Sequence, residues 1–173
     1  MAHIQTDLVV IGSGPAGQKA AMQAAKLGKQ VVVIERDKMI GGASLNSGTI
    51  PSKSLREAIL DLTDFYKRSF YAKEAPKKEI SINDLNFRLH KVLDEQRQVL
   101  ARQFDKNNIQ IIHGKACFVD EKTLIVKDED GAILYQVQAS FIMIASGSKP
   151  RNPEEIPFDH HSILDSTRRS EEH

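Results

Sequence analysis

Residues 7–17 read DLVVIGSGPAG, a run of branched apolar residues that stops at a glycine-rich turn. Such a run is typical of a buried strand, because a strand covered on both faces needs no polar alternation. Pro15 falls where the first turn of a helix accepts proline. Alanines recur through residues 16–25, Gly28 is expected to end the helix, and residues 31–34 follow as VVVI. This order predicts a βαβ unit with two parallel strands.

The turn, GSGPAG at residues 12–17, fits the pattern G-x-G-x-x-G. In that pattern the first glycine allows the tight bend, the second lets the backbone approach a pyrophosphate, and the third lets helix and strand pack closely. Glu35 ends the second strand, where an acidic residue accepts hydrogen bonds from the ribose hydroxyls of an adenosine. A 2′-phosphate would be repelled, so we expect FAD or NAD rather than NADP. The alternative is a glycine turn followed by an exposed glutamate.

The middle of the chain predicts two helices. The first covers residues 51–70, where apolar residues recur with a helical period, and a polar loop follows at residues 71–80. Ser81 with Asp84 resembles the capping signal of a longer second helix, which ends near residues 107–108. The apolar stripe expected to be buried on this helix comprises Ile82, Leu85, Leu89, Val92, Leu93, Leu100 and Phe104.

The last part of the chain is rich in predicted strands. They cover residues 109–112, 116–119, 123–127, 133–137 and 141–144, and the last is expected to be buried. Asp130 and Gly131 form a good hairpin turn before residue 133. The fold class is therefore α/β: a parallel sheet built on the βαβ unit, with a β-meander and a long helical pair.

Composition excludes several classes of function. Lys and Arg total 24 against 23 Asp and Glu, so no electrostatic attraction to nucleic acid is expected. No apolar run approaches the roughly 20 residues that cross a bilayer, which together with the N-terminal sequence predicts a cytoplasmic protein. Cys117 is the single cysteine of the 173 residues, which fits a reducing compartment. The six histidines show no metal-ligand spacing, so no metal site is expected.

Residues 41–53 read GGASLNSGTIPSK, which resembles the active-site segment of the pyridine nucleotide–disulfide oxidoreductases, G-G-x-C-x-N-x-G-C-I-P-S-K. The resemblance extends over about residues 7–165 and includes GKA at 114–116 and ASGSKP at 145–150. It implies a Rossmann-like FAD-binding domain over residues 1–165, followed by a polar tail at 166–173. FAD is the cofactor that the resemblance implies.

Both cysteine positions of that segment hold alcohols, Ser44 and Thr49. A disulfide reductase passes electrons from reduced flavin into a cystine, and the resulting thiolate attacks the substrate. Neither hydroxyl can form a disulfide, and Cys117 has no second cysteine in these residues. We therefore expect no disulfide reduction by this chain, which leaves hydride exchange with a nicotinamide.

Residues 48–56, GTIPSKSLR, resemble G-T-I-P-S-K-A-L-R of the transhydrogenase branch of the family, and residues 118–124, FVDEKTL, resemble its F-V-D-E-H-T-L. The resemblance implies hydride passing between NADPH and NAD⁺ through FAD, with these dinucleotides as partners. Two alternatives stay open: a truncated, non-catalytic FAD-binding module, and a dihydrolipoamide dehydrogenase-like flavoprotein without the dithiol. The nicotinamide and dimerisation domains of the family are not in these residues. Little turnover is therefore expected of the chain alone, and self-association into a homo-oligomer is expected.

The resemblance also assigns site residues. Thr49 would touch the flavin ring and Lys53 would stabilise reduced flavin, unless they are a packing residue and a surface lysine. The backbone of Ala116 would lie against the adenine, and residues 145–147 would close over the dinucleotide. The full set expected to bind the cofactor is Gly12, Gly14, Pro15, Ala16, Gly17, Glu35, Arg36, Asp37, Lys38, Met39, Ile40, Gly41, Gly42, Ala43, Ser44, Lys53, Ala116, Ala145, Ser146 and Gly147.

Overall fold

The computed structural model describes residues 2–67, 81–159, 161–163 and 165. The predicted loop at 71–80 and the tail at 166–173 lie outside the described residues. In chain order the elements are β1 (Ala2–Ile11), α1 (Pro15–Lys26), β2 (Val31–Glu35), α2 (Gly42–Asn46), α3 (Thr49–Lys67), α4 (Ile82–Lys106), β3 (Gln110–His113), β4 (Lys115–Phe118), β5 (Thr123–Lys127) and β6 (Ile133–Ile144).

The described strands form a mixed sheet in the order β3-β2-β1-β6-β5-β4. β1 pairs in parallel with β2 on one side and with β6 on the other, and β2 pairs in parallel with β3. β6, β5 and β4 continue as an antiparallel meander. The predicted fold class, a Rossmann-like parallel sheet with a β-meander, is confirmed.

Two strands are longer than their apolar patterns predict. β1 begins at Ala2 because its first half pairs with β6 as well as its second half. The pairing runs from Ala2 opposite Tyr135 to Ile11 opposite Ile144. For the same reason β6 is a single strand, and the prediction of two separate strands there is wrong. The predicted burial of the final stretch is also wrong at two positions, since Phe141 is 73% and Ile144 66% exposed. Backbone pairing rather than burial defines this end of β6.

The described chain divides into two compact units. The first comprises the chain up to Ala43 with Arg97–Lys149, and the second comprises Ser44–Gln96 with the described residues from Pro150 onward. In the first unit, Val9 and Val10 are fully buried in different core clusters, because successive residues of a strand point to opposite faces. One cluster is completed by β5 and β6, and the other by α1 and the end of α4.

Local signals place the helix ends. Gly28 adopts a φ of +75° one residue after the C-cap of α1 and donates to the carbonyl of Ala25, as predicted for the residue that ends this helix. At the start of α4 the backbone N–H of Asp84 donates to Ser81 Oγ at 3.2 Å, and the Asp84 carboxylate accepts from the Ser81 N–H at 3.0 Å. The predicted capping signal is therefore confirmed.

The two long helices differ little from their predicted bounds. α3 begins at Thr49, two residues before the predicted start, and its described part ends at Lys67. Leu89 and Leu93 of α4 pack against Leu45 within the second unit. The rest of the predicted stripe is buried at Leu100 and Phe104 and half-buried at Leu85 and Val92, while the side chain of Ile82 lies outside the described set.

Candidate dinucleotide-binding site

The glycine-rich turn lies at the carboxyl edge of the parallel strands. The Gly12 N–H donates to the Ile34 carbonyl at 2.8 Å, and the Ala145 N–H donates to the Ile11 carbonyl at 2.8 Å. The turn is thus held between the ends of β2 and β6. In open α/β sheets, ligands bind in the crevice outside the carboxyl ends of the strands. The crevice lies at the point where the strand order reverses.

The three glycines of the turn have different surroundings. Gly12 adopts a φ of +104°, and a Cβ built on it would collide with the carbonyl oxygen of Ala145. A Cβ on Gly17 would collide with the carbonyl oxygen of Gly12. A Cβ on Gly14 would meet no atom of the chain within 4 Å. Packing within the chain therefore requires glycine at 12 and 17, whereas Gly14 leaves space open at the start of α1.

The amino-terminal end of α1 has neither a side-chain cap nor an acidic residue. Gly14 is the N-cap residue, no side chain caps the helix, and its first turn holds no acidic residue. Pro15 occupies the first helical position, where its missing N–H costs no hydrogen bond. Helix N–H groups without partners and the positive end of the helix dipole favour a bound phosphate. The open space at Gly14 and this helix end fit the pyrophosphate of a dinucleotide.

A second glycine pair approaches the turn. Gly42 adopts a φ of +62°, and a Cβ on it would lie 2.8 Å from the Cα of Gly14. Gly41 is buried, with a φ of +110°. Only glycine accommodates both the left-handed backbone and this close approach at position 42. The structure therefore brings the predicted residues 41 and 42 against the turn.

The other predicted residues of this loop differ in exposure. The side chains of Arg36 and Asp37 are 61% and 60% exposed and form an ion pair at 3.3 Å. The Nζ atom of Lys38 lies 3.8 Å from Oε1 of Glu129. Ile40 packs against the core of the first unit. Met39 and Ala43 are exposed. Contact of these side chains with the cofactor stays a prediction.

Glu35 is buried at the end of β2, with 6% of its surface exposed, so the alternative of an exposed glutamate is wrong. One carboxylate oxygen, Oε2, accepts hydrogen bonds from the backbone N–H of Ser13, at 2.8 Å, and from the Ser13 hydroxyl. The other, Oε1, accepts from the Asp37 N–H at 3.0 Å. Ser13 Oγ in turn accepts from the Gly41 N–H at 2.9 Å. The turn, the acidic residue and the second glycine pair are thus joined by hydrogen bonds.

Ser13 is a residue of the candidate site that the sequence pattern does not indicate. It occupies a variable position of G-x-G-x-x-G, so the motif assigns it no role, yet it is fully buried. The available signal was a hydroxyl residue at that position together with an acid at the end of the following strand. The sequence pattern also does not indicate His113, which contacts the segment after Glu35. Its Nδ1 lies 3.0 Å from the carbonyl oxygen of Asp37.

The remaining predicted residues of the first unit occupy two places. Ala145 lies against the turn through its contact with Gly12, and Ser146 and Gly147 follow it exposed to solvent. Ala116 is half-buried on β4, opposite Val126, and packs against the core. The expected contacts of these residues with a dinucleotide stay predictions.

Thr49, Lys53 and Ser44 belong to the second unit. Thr49 is exposed at the first residue of α3, and Ser44 is half-buried in α2. The Lys53 side chain is 72% exposed, and its Nζ lies 3.8 Å from Glu57 Oε1, one helical turn ahead. The expected roles of these residues at a flavin stay predictions.

In the part of the chain that the structure describes, no group of three or more His, Cys, Asp or Glu side chains could hold a metal ion. None of the described helices is long and apolar enough to cross a membrane.

The chain belongs to the pyridine nucleotide-disulphide oxidoreductase family, whose pattern it matches over residues 6–173. Similar proteins include the soluble pyridine nucleotide transhydrogenase of Mycobacterium bovis (strain BCG / Pasteur 1173P2), 43% identical over 161 residues that make up 92% of this chain and 34% of the relative. That of Yersinia enterocolitica (serotype O:8 / biotype 1B) is 37% identical over 95% of this chain and 35% of the relative.

Among solved structures, the HOCl-induced flavoprotein disulfide reductase RclA from Escherichia coli is similar with a TM-score of 0.74 and 26% identity. The similarity covers 95% of this chain and 33% of that protein. The chain thus spans about one third of the length of the relatives it matches.

Proposed function

We propose that this chain is the FAD-binding portion of a flavoprotein oxidoreductase that passes hydride between NADPH and NAD⁺ through FAD, without a redox-active disulfide. One observation carries the proposal: a dinucleotide turn with open space at Gly14 and a buried acid at Glu35 stands in a chain whose two disulfide positions hold Ser44 and Thr49.

The first step is binding of the pyrophosphate. The start of α1 offers N–H donors with no acidic side chain beside them, and Gly14 lets a ligand approach the backbone. Gly42 lies against Gly14 with no side chain between the two segments. These features support a phosphate-containing ligand held mainly by backbone groups.

The second step is recognition of the adenosine ribose. Glu35 ends β2 with its carboxylate beside the turn, and Oε1 has one backbone partner, the N–H of Asp37. An ionised carboxylate only accepts hydrogen bonds, so it suits ribose hydroxyls and repels a 2′-phosphate. This supports FAD rather than NADP as the ligand of this turn.

The third step concerns the electrons. Bound FAD would supply two-electron hydride exchange with a nicotinamide. The chain contributes Lys53, a cation that favours negative charge nearby, and Thr49, which has no thiol to accept electrons. Because the alcohols of Ser44 and Thr49 cannot form a disulfide, these two positions would offer no dithiol to accept electrons. The name of the transhydrogenase relatives supports a second nicotinamide as the acceptor instead.

The relatives are about three times as long as this chain, so their names describe a larger protein. We propose that the nicotinamide sites lie in the part of the protein that corresponds to the other two thirds. The chain alone would then bind FAD and not transfer hydride. A cytoplasmic location, dinucleotides as small-molecule partners and self-association belong to the same proposal.

Two measurements test the proposal. In the first, the purified chain is titrated into FAD while flavin fluorescence and absorbance are followed; Glu35→Ala is the test variant. Glu95→Ala, which removes an exposed acid of α4, is the matched control. We expect weaker FAD binding by Glu35→Ala alone. Absence of FAD binding by the unmodified chain would contradict the proposal.

In the second, the chain replaces the matching third of the M. bovis relative, and NADPH oxidation is followed with a thionicotinamide analogue of NAD⁺. We expect hydride transfer that thiol-alkylating reagents do not abolish. NADH-linked dye reduction without use of NADPH would instead favour the dihydrolipoamide dehydrogenase-like alternative. FAD retention without any turnover would favour the non-catalytic module.

A further inference from the structure

We infer that Ser13 is a positioning residue: its hydroxyl and backbone N–H together hold the Glu35 carboxylate in the orientation that recognises the adenosine ribose. The inference rests on the proposed function, because it concerns the same ligand. It assigns a role to a residue for which the glycine motif requires no particular side chain.

The first argument is burial. Ser13 is completely buried and Glu35 is 6% exposed. A buried carboxylate is costly unless it is hydrogen-bonded, since it has lost its hydration. Ser13 supplies two of the donors that compensate, both to Oε2, across 22 residues of sequence. The carboxylate therefore depends on Ser13 for its place at the turn.

The second argument is the direction of each hydrogen bond. The Gly41 N–H can only donate, so Ser13 Oγ is the acceptor of the bond between them, 2.9 Å long. The hydroxyl proton is then directed to Glu35 Oε2, the other partner of Ser13 Oγ. The two hydrogen bonds thus run in one direction, from Gly41 through Ser13 to Glu35, and this fixes the rotamer of Ser13.

The third argument is the acceptor capacity that remains. A carboxylate offers about four acceptor sites, two on each oxygen. Oε2 is occupied by the two donors of Ser13, whereas Oε1 has the Asp37 N–H at 3.0 Å. Oε1 is therefore the oxygen left with capacity for a ribose hydroxyl. Loss of the Ser13 hydroxyl would leave one backbone donor on each oxygen, which would hold the carboxylate less firmly and remove this distinction between its oxygens.

The test measures selectivity for the ribose hydroxyls, not affinity alone. The chain is titrated with FAD and with an FAD analogue whose adenosine is 2′,3′-dideoxy. We expect the unmodified chain to prefer FAD by about tenfold, the size of a hydrogen bond to a charged group. Ser13→Ala should reduce that preference to below about threefold, mainly through weaker FAD binding.

Thr6→Ala is the matched control. Thr6 is also buried in the first unit, and its hydroxyl donates to the Gln30 carbonyl at 2.8 Å, away from the turn. Its loss should lower the unfolding midpoint of the chain while leaving the preference for FAD unchanged. A general loss of stability would affect both variants alike, whereas the positioning role affects only Ser13→Ala.

Each outcome decides the inference. If Ser13→Ala does not fold, Ser13→Cys replaces the hydroxyl by a weak donor of similar size and should show the same reduced preference. Full retention of the preference in a folded Ser13 variant would overturn the inference and leave the proposed function standing. Failure of the unmodified chain to bind FAD would overturn both.

Discussion

Substitution of Gly14 by alanine separates ligand binding from folding. The position has a φ of −67° and a ψ of 177°, which alanine adopts without strain, and the added Cβ would meet no atom of the chain within 4 Å. Replacing glycine by alanine in such a conformation stabilises by about 0.4–1 kcal/mol through the unfolded state. Alanine is a poorer N-cap than glycine by a similar amount. The free energy of unfolding should therefore change by less than about 1 kcal/mol.

The effect on FAD should be much larger. The added methyl group would occupy the space through which we propose that the pyrophosphate approaches the start of α1. Forcing a methylene-sized group into a filled space costs about 1–3 kcal/mol. At about 1.4 kcal/mol per tenfold, the dissociation constant for FAD should rise about 5-fold to 150-fold.

Urea unfolding of the chain without ligand and fluorescence titration with FAD measure the two quantities. Gly131→Ala is the control with the opposite pattern: it also has open space, but its φ of +85° strains an alanine. It should lose about 1 kcal/mol of stability and keep its FAD affinity. Native FAD affinity in Gly14→Ala would refute the assignment of this space to the pyrophosphate. A stability loss above about 2 kcal/mol would refute the absence of a clash.

Three further predictions concern folding and titration. Gly17→Ala should destabilise the chain by about 3 kcal/mol or more in urea unfolding, because its Cβ would overlap a backbone carbonyl oxygen; a native unfolding midpoint would contradict this. Ser81→Ala should cost about 1 kcal/mol by removing the side-chain acceptor for the Asp84 N–H, and a cost below about 0.3 kcal/mol would count against the cap. Hydrogen bonds from the backbone N–H groups of Ile163, His161 and Ser162 lower the pKa of Asp159 to about 2. The stability contributed by this ionised carboxylate should be present above the ordinary pKa of 3.8 and lost as the pH falls through about 2. An NMR titration of the carboxyl carbon measures the pKa itself, and a midpoint near 3.8 would contradict the prediction.

The strand, turn and helix of residues 7–35 could be predicted because their signals are local. An apolar run, a glycine pattern and a proline at the first helical position each act within a few residues, and Gly28 marks the end of α1 in the same way. Ser81 and Asp84 are another local case, since the two groups that cap α4 lie three residues apart.

The length of β6 could not be predicted from such signals. Residues 138–140 lack an apolar alternation, so the pattern suggests a break between two strands. They remain in one strand because β1 supplies a parallel partner along almost the whole of β6. The same long-range pairing holds Phe141 and Ile144 in the strand although both side chains are largely exposed. Hydrophobic pattern alone would place such residues inside.

What residues 7–53 determine by themselves is the chemistry available: glycines where a phosphate can approach, an acid for a ribose, and alcohols at the two disulfide positions. These are properties of residue type and spacing, and they need no knowledge of distant contacts. Only the tertiary structure decided that Ser13 is buried between Glu35 and Gly41, and that Gly42 lies against Gly14. Such contacts join segments more than 20 residues apart, and the paired strands of the sheet bring those segments together.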